Sequence, residues 1–91
     1  MNPQEIGPAA RTFILEEFLP GVDPSELTDD MPLISGGVLN SLATTRLVAF
    51  LEERFGIRVE AHEMGADALD TVEMISALVA EKLGVNPTAT G

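Results

Sequence analysis

Ser41 is the side chain best placed to take part in a reaction, because it lies at a predicted helix start. Asn40 precedes it and a run with helical apolar spacing follows, which predicts a helix beginning at Ser41 with Asn40 as N-cap. A hydroxyl there lies at the positive end of the helix dipole, beside backbone N–H groups without partners in the helix. A phosphate ester on Ser41 would be held by the same groups. Gly36 and Gly37 come just before and predict a flexible, open approach.

Two other roles for Ser41 follow from general chemistry. Serine near a helix N-cap is common, so these residues alone leave a purely capping role open. Nucleophilic catalysis would need a base and an orienting acid within hydrogen-bonding reach, and the only histidine is His62. One histidine, scattered acids and no cysteine also lack the spacing of metal ligands. We therefore predict a non-catalytic protein without a metal site.

The elements that position Ser41 have helical periodicity. The first predicted helix begins with Asn2 as N-cap and Glu5 closing a capping box, and it ends before Pro20. Its apolar residues form one stripe: Ile6, Ala10, Phe13, Ile14 and Phe18. Residues 19–39 are predicted to form a long acidic loop, with a turn at 23–27 in which Ser25 is a local capping or turn residue. Apolar side chains that would pin this loop to the bundle are Leu27, Met31, Leu33, Ile34 and Val38.

The second predicted helix, residues 41–55, carries two apolar stripes. The stripe expected to face the core is Leu47, Phe50, Leu51 and Phe55. The other lies on the side of Ser41 and consists of Leu42, Thr45, Val48 and Ala49. Periodicity leaves two interpretations open: a helix buried on two sides, or a partner-docking face ringed by Glu52 and Glu53.

The last third of the chain predicts a short element and a final helix. Gly56 ends the second helix, residues 57–59 form an extended link, and a short helix or helical turn covers about 60–64 before Gly65. The final helix is capped either by Asp70 with Glu73 or by Thr71. Its buried stripe is Val72, Ile75, Leu78, Val79 and Leu83. Gly84 follows it, and residues 85–91 are predicted to be a disordered tail after a single domain of residues 1–84.

Composition limits the classes of partner. The chain has 91 residues, of which 15 are acidic and 5 are basic, so its net charge is −10. This charge argues against nucleic acid and anionic membranes as partners, and it favours partners with basic docking surfaces. Without cysteine the chain has no thiol of its own, as suits a reducing cytoplasm. Neither a signal segment nor a long apolar run is evident, so we expect a cytoplasmic protein, and a monomer.

Residues 36–42, Gly-Gly-Val-Leu-Asn-Ser-Leu, resemble the phosphopantetheine attachment motif of acyl and peptidyl carrier proteins, usually Gly-x-x-Asp-Ser-Leu. Residues 55–59 resemble that family's exit from the second helix, residues 69–72 resemble the start of its last helix, and the likeness extends over residues 6–83. It implies an all-α, acyl-carrier-like bundle of three main helices plus one short helix, with a long loop between helices one and two. It also implies that Ser41 carries a 4′-phosphopantetheine arm whose thiol holds an acyl or aminoacyl group as a thioester.

The resemblance further implies partners: a phosphopantetheinyl transferase, a loading enzyme, and downstream synthase or modifying enzymes. The family presents its second helix to enzymes, which makes the expected docking residues Asn40, Leu42, Thr45, Arg46, Val48, Ala49, Glu52 and Glu53. Asn40 replaces the usual Asp, and Ala43 and Arg46 stand where fatty-acid carriers usually have acids. These departures favour a free-standing carrier of polyketide or nonribosomal peptide biosynthesis. The alternatives are a fatty-acyl or aminoacyl carrier of primary metabolism, and a helical interaction module without a prosthetic group.

Overall fold

The computed structural model describes residues 5–84 of the chain. This part contains four α-helices and two 3-10 turns, joined by loops. The helices are α1 (Ile6–Phe18), α2 (Ser41–Phe55), α3 (Ala66–Leu69) and α4 (Val72–Leu83). Within residues 5–84 there is no strand, so the all-α prediction is confirmed. None of these helices is long and apolar enough to cross a membrane. The predicted cap at Asn2 and the tail at 85–91 lie outside the described residues.

The core forms where α1 and α2 pack against α4, and the residues that line it are the aliphatic ones that the periodicity indicated. The fully buried side chains include Ile6, Ile14, Leu47, Leu51, Leu69, Val72, Ile75 and Val79. Gly7 lets α1 approach α4 closely, because a Cβ there would lie 3.1 Å from the Ser76 hydroxyl oxygen. The core is therefore aliphatic, as 45% hydrophobic residues with only four aromatic ones require.

Three of the phenylalanines, Phe13, Phe18 and Phe50, are partly buried and pack against this core; of these, Phe50 was predicted to face it. Phe13 of α1 stacks on Phe50 of α2 with ring centroids 4.2 Å apart, and Phe18 meets Phe13 edge-on at 5.6 Å. All three are only partly buried and cover the outer side of the α1–α2 contact. The three rings therefore add aromatic pairing to the contact between α1 and α2.

The long loop is pinned to the bundle as expected. Leu27 and Leu33 are fully buried, and the other apolar loop residues are half-buried or buried against the same core. The predicted turn is a 3-10 turn at Pro24–Glu26, and Ser25 is a residue of this turn rather than its cap. The cap is Asp23, whose carboxylate accepts the backbone N–H and the hydroxyl of Ser25, both at 2.9 Å. Ser25 is thus a donor to the cap, because the adjacent carboxylate is the stronger acceptor.

After α2, Gly56 adopts a left-handed φ of 67°, and the Glu52 carboxylate accepts the N–H of Val59 at 2.9 Å to hold the extended link. The predicted turn near 60–64 is the second 3-10 turn, Ala61–Glu63. One α-helical turn, α3, follows Gly65 and was not predicted, since four residues are too few to show a periodicity. The Lys82 ammonium lies 2.7 Å from Glu63 and ties the 3-10 turn to α4.

Candidate functional site

Ser41 is exposed at the first position of α2, as the capping pattern predicted. The side-chain oxygen of Asn40 accepts the N–H of Ala43 at 2.8 Å, which fixes the start of the helix. The hydroxyls of Thr44 and Thr45 donate to the carbonyls of Asn40 and Ser41, at 2.8 and 3.0 Å. The serine hydroxyl therefore projects from a well-capped helix N-terminus, where backbone N–H groups favour an anion.

Residues 33–39, here named the serine loop, lead into this helix and are closed by backbone hydrogen bonds. The Leu39 N–H donates to the Leu33 carbonyl at 2.8 Å, and the Gly37 N–H donates to the Ile34 carbonyl at 3.1 Å. A Cβ on Gly36 would overlap the carbonyl oxygen of Pro32. Gly37 has a φ of 83°, the left-handed region that glycine enters most easily. Both glycines therefore serve a tightly closed loop.

Asp70, predicted as a possible cap of α4, instead binds the serine loop. Thr71 caps α4, its hydroxyl oxygen accepting the Met74 N–H at 3.0 Å. The Asp70 carboxylate accepts the N–H groups of Ile34 and Ser35, each at 2.8 Å, and the Ser35 hydroxyl at 2.7 Å. These bonds, chiefly the Ser35 backbone N–H and then its hydroxyl, hold the pKa of Asp70 below its ordinary value.

A shallow depression of about 500 Å³, here named the Ser41 depression, lies beside the serine. Its wall combines apolar side chains with hydroxyls and a glycine: Ile34, Leu39, Thr44, Thr45, Met64 and Gly65. Its residues come from the serine loop, the first turn of α2 and the segment just before α3. None of the residues that line the depression is charged.

The expected docking residues divide into two groups. Leu42 is 71% exposed, the most exposed large apolar side chain of the described residues, and Thr45, Ala49 and Glu53 are exposed with it at helical spacing. We name Leu42, Thr45, Ala49 and Glu53 the docking face. Asn40 is exposed at the helix start, although its side-chain oxygen is occupied by the cap.

Three of the residues expected to form the docking surface, Val48, Glu52 and Arg46, lie outside the docking face. Val48 is 5% exposed and belongs to the core, so its assignment to the docking surface is wrong; the core covers a wider arc of α2 than one narrow stripe. Glu52 is half-buried and binds Val59. Arg46 turns toward α1, with its guanidinium 2.8 Å from Glu17 and 5.9 Å from the Phe18 ring centre.

Ala43, noted beside Arg46 as a departure from fatty-acid carriers, is only 9% exposed and belongs to the core. His62 lies exposed on the Ala61–Glu63 turn, a different element from Ser41. Among residues 5–84, no group of three or more His, Cys, Asp or Glu side chains lies close enough together to bind a metal ion.

Comparison with known proteins assigns this site to a family. Residues 14–79 match the family described as "Phosphopantetheine attachment site". The chain is 37% identical over 82 residues to an acyl carrier protein of Guillardia theta, covering 88% of this chain and 99% of that protein. It is 41% identical over 59 residues to a D-alanyl carrier protein of Streptococcus sanguinis, covering 65% and 73%. The chain belongs to the phosphopantetheine-binding carrier proteins, as residues 36–42 predicted.

A solved structure supports the fold. Apo KstB-PCP superposes with a TM-score of 0.68 at 24% identity, covering 99% of this chain and 97% of that one. Carrier proteins of this family are generally non-catalytic, and family membership implies a covalently attached 4′-phosphopantetheine group. The residues present fit such a group, because an exposed hydroxyl lies at a capped helix N-terminus, beside an open depression.

Proposed function

We propose that Ser41 carries the 4′-phosphopantetheine group and that the chain is a non-catalytic carrier of acyl or aminoacyl thioesters. The observation that carries this proposal is the exposed hydroxyl at the first position of α2, within the residues that match the family. Ser25 and Ser35 are exposed too, but the Ser25 hydroxyl donates to Asp23 and that of Ser35 to Asp70. Neither lies at the start of a helix long enough to have a strong dipole.

The chain's own part in the chemistry is to orient and to stabilise charge. The first N–H groups of α2 would hold the phosphate that joins the arm to Ser41, and Asn40 keeps this helix end formed. When bound, the group supplies a thiol for thioester formation, which a chain without cysteine does not provide itself. The Ser41 depression offers apolar and hydroxyl contacts to whatever is attached beside it.

Partners would meet the chain at the docking face. Leu42 offers an apolar anchor without aromatic bulk, and Glu53 offers a charge for basic side chains of a transferase or loading enzyme. Asn40 and Glu52 lie at its edges and serve the fold through their hydrogen bonds. Arg46 lies outside the docking face, and its guanidinium pairs with Glu17 of α1.

For the pathway, we propose polyketide or nonribosomal peptide biosynthesis, supported by Asn40 in place of the usual Asp and by Arg46 on α2. The alternative is a fatty-acyl or aminoacyl carrier of primary metabolism; the similar proteins are named acyl carrier protein and D-alanyl carrier protein, which fits either an acyl or an aminoacyl cargo. Loading assays with an acyltransferase, an amino-acid-activating ligase and a fatty-acyl ligase distinguish these classes. We further propose that the carrier is a cytoplasmic monomer, on the basis of its charge and lack of cysteine.

Intact-protein mass spectrometry tests the carrier role against a helical interaction module. The apo chain is incubated with coenzyme A and a broad-specificity phosphopantetheinyl transferase. We expect the mass of one phosphopantetheine to be gained by wild type and by Ser25→Ala, the matched serine control, and not by Ser41→Ala. If wild type gains no mass with several transferases, the carrier proposal is wrong and the interaction module is favoured. If Ser41→Ala gains the same mass as wild type, the chain is modified at another residue and the assignment of Ser41 is wrong.

A further inference from the structure

Asp70 uses its carboxylate on the loop before Ser41 rather than on its own helix. It lies two residues before the first residue of α4, Val72, yet Thr71 provides the cap of that helix. Each of the three donors to its carboxylate belongs to the serine loop: the N–H groups of Ile34 and Ser35 and the Ser35 hydroxyl. A charged acceptor with three donors makes stronger bonds than neutral pairs do.

The hydrogen bonds continue from Asp70 to the start of α2. The Asp70 carbonyl accepts the Leu33 N–H at 2.6 Å, and the Leu33 carbonyl accepts the Leu39 N–H at 2.8 Å. Leu39 is followed by Asn40, the cap of the helix that bears Ser41. A further bond, from the Glu73 N–H to the Asp29 carbonyl at 3.1 Å, joins the beginning of α4 to the chain just before the serine loop. The residues at the beginning of α4 therefore hold the first part of the serine loop, Leu33 to Ser35, and the residues that precede it.

Asp70 also fixes a wall of the Ser41 depression. Ile34 lines that depression together with Ser41, and the Ile34 N–H is one of the donors to the Asp70 carboxylate. An enzyme that modifies Ser41 must approach over the serine loop and the first turn of α2. The placement of Ile34 relative to Ser41 is thus part of the surface that such an enzyme meets.

We propose that Asp70 is a positioning residue for the modification of Ser41: its carboxylate holds the serine loop in the arrangement that a phosphopantetheinyl transferase binds. This inference rests on the proposed function. Since the Ser41 hydroxyl stays on a helix capped by Asn40, loss of Asp70 weakens binding of the carrier more than the transfer step. The expected effect of Asp70→Ala is a rise in KM for the apo chain of about tenfold, with kcat changed by less than about twofold.

Steady-state kinetics of the transferase with coenzyme A and the full apo chain test this, with two companion variants. Asp70→Asn keeps a carbonyl oxygen for the Ile34 and Ser35 N–H groups, so its KM should lie closer to that of wild type than to that of Asp70→Ala. Thr71→Ala removes the cap of α4 and weakens the same helix start without touching the serine loop, so it leaves KM near that of wild type. Each variant is assayed at a temperature where circular dichroism shows it folded.

Amide hydrogen exchange of the apo chain gives a readout independent of the transferase. Asp70→Ala should speed exchange at Ile34 and Ser35, whereas Thr71→Ala should speed it at Met74. The inference is overturned if Asp70→Ala keeps the wild-type KM, or if Thr71→Ala raises KM equally. A wild-type chain that is not modified, or a Ser41→Ala chain that is, overturns the proposed function together with this inference.

Discussion

At the residue scale, Gly36 and Gly37 are glycine for two different steric reasons. Gly36 lies against the backbone of Pro32, so any side chain would collide with a group that is unable to rotate away. Gly37 has open space around it and is constrained only by its positive φ. Adjacent residues of one motif can thus be glycine because of packing in one case and backbone conformation in the other.

These reasons predict unequal costs of substitution. Gly36→Ala should lower the free energy of unfolding by about 2–3 kcal/mol, as forced overlap in a packed region does. Gly37→Ala should cost about 1 kcal/mol, the cost of a left-handed conformation for an L-residue. Urea titrations of both variants measure the difference. A larger loss for Gly37→Ala than for Gly36→Ala would contradict this description of the serine loop.

Asn40 acts through one hydrogen bond, from the Ala43 N–H to its side-chain oxygen. Asn40→Ala should therefore lower the free energy of unfolding by about 1 kcal/mol. Asn40→Asp keeps the acceptor and places a negative charge at a helix N-terminus, so it should preserve or raise stability by up to about 1 kcal/mol. The same urea titration checks both, and equal losses for the two variants would show that the bond does not cap α2.

At the element scale, α2 has one buried side and one exposed side. The buried residues of the helix are Ala43, Thr44, Leu47, Val48, Leu51 and Phe55. The docking face occupies the opposite side, from Leu42 to Glu53. The helix therefore contributes to the core and to the surface through different residues, and Val48 and Leu42 can be substituted to test each role separately.

Truncation of these two residues should have opposite consequences. Val48→Ala should lower the free energy of unfolding by about 2 kcal/mol, because it opens a cavity beside Leu47 and Leu51. Leu42→Ala should change stability by less than about 0.5 kcal/mol but raise the KM of a phosphopantetheinyl transferase for the carrier. Urea titration and transferase kinetics measure the two effects. An unchanged KM for Leu42→Ala would remove that residue from the docking face.

The elements that the sequence predicted are those specified by local interactions. The bounds of α2 follow from Asn40 at one end and Gly56 at the other, because capping involves residues only a few positions apart. The bond between Asp70 and Ser35 joins residues 35 positions apart, so no local pattern reveals it. The sequence pattern instead suggested that Asp70 caps α4, a role that Thr71 has in the structure.

Contacts between side chains on the surfaces of different helices could not be predicted from the sequence either. Arg46 was expected on the docking surface, and its ion pair with Glu17 depends on how α1 and α2 cross. The stacking of Phe13 on Phe50 depends on the same crossing. Helical periodicity identifies which residues share a face of one helix, but it does not reveal which neighbouring helix that face meets.

At the scale of the whole molecule, two carboxylates join elements that are distant in sequence. Asp70 holds the serine loop to the start of α4, and Glu63 holds the second 3-10 turn to Lys82 near the end of α4. The Lys82 hydrogen bond, followed by the Glu60 backbone N–H, keeps the pKa of Glu63 below its ordinary value. The pKa of Asp70 is lowered in the same direction by Ser35.

These shifts predict a loss of stability in acid. Both carboxyls bind a proton less readily in the folded chain than in the unfolded one, so stability rises with pH where they titrate. Their contribution is complete above the unfolded pKa, about 4, and is lost as the pH falls through the lower folded pKa. As the pH is lowered from about 6 to about 3, the urea midpoint of unfolding should decrease less steeply for Asp70→Asn than for wild type. Equal slopes would show that Asp70 does not contribute to this dependence.

The net charge of −10 belongs to the whole molecule and should govern encounter rates. A transferase with a basic docking surface should associate more slowly by about tenfold or more as salt rises from about 0.02 to about 0.5 M, because screening shortens the range of attraction. Stopped-flow association measures this. Glu53→Gln on the docking face should reduce the salt dependence more than Glu81→Gln on α4, and an association rate independent of salt would contradict electrostatic steering.

The most direct test of the central claim locates the modification on the chain. Trypsin should release residues 12–46 as one peptide between Arg11 and Arg46, and that peptide contains three serines: Ser25, Ser35 and Ser41. After treatment with coenzyme A and a phosphopantetheinyl transferase, fragmentation of this peptide should assign the added mass to Ser41 alone. An added mass on Ser25 or Ser35, or a peptide that stays unmodified with several transferases, would contradict the assignment of Ser41 as the attachment site.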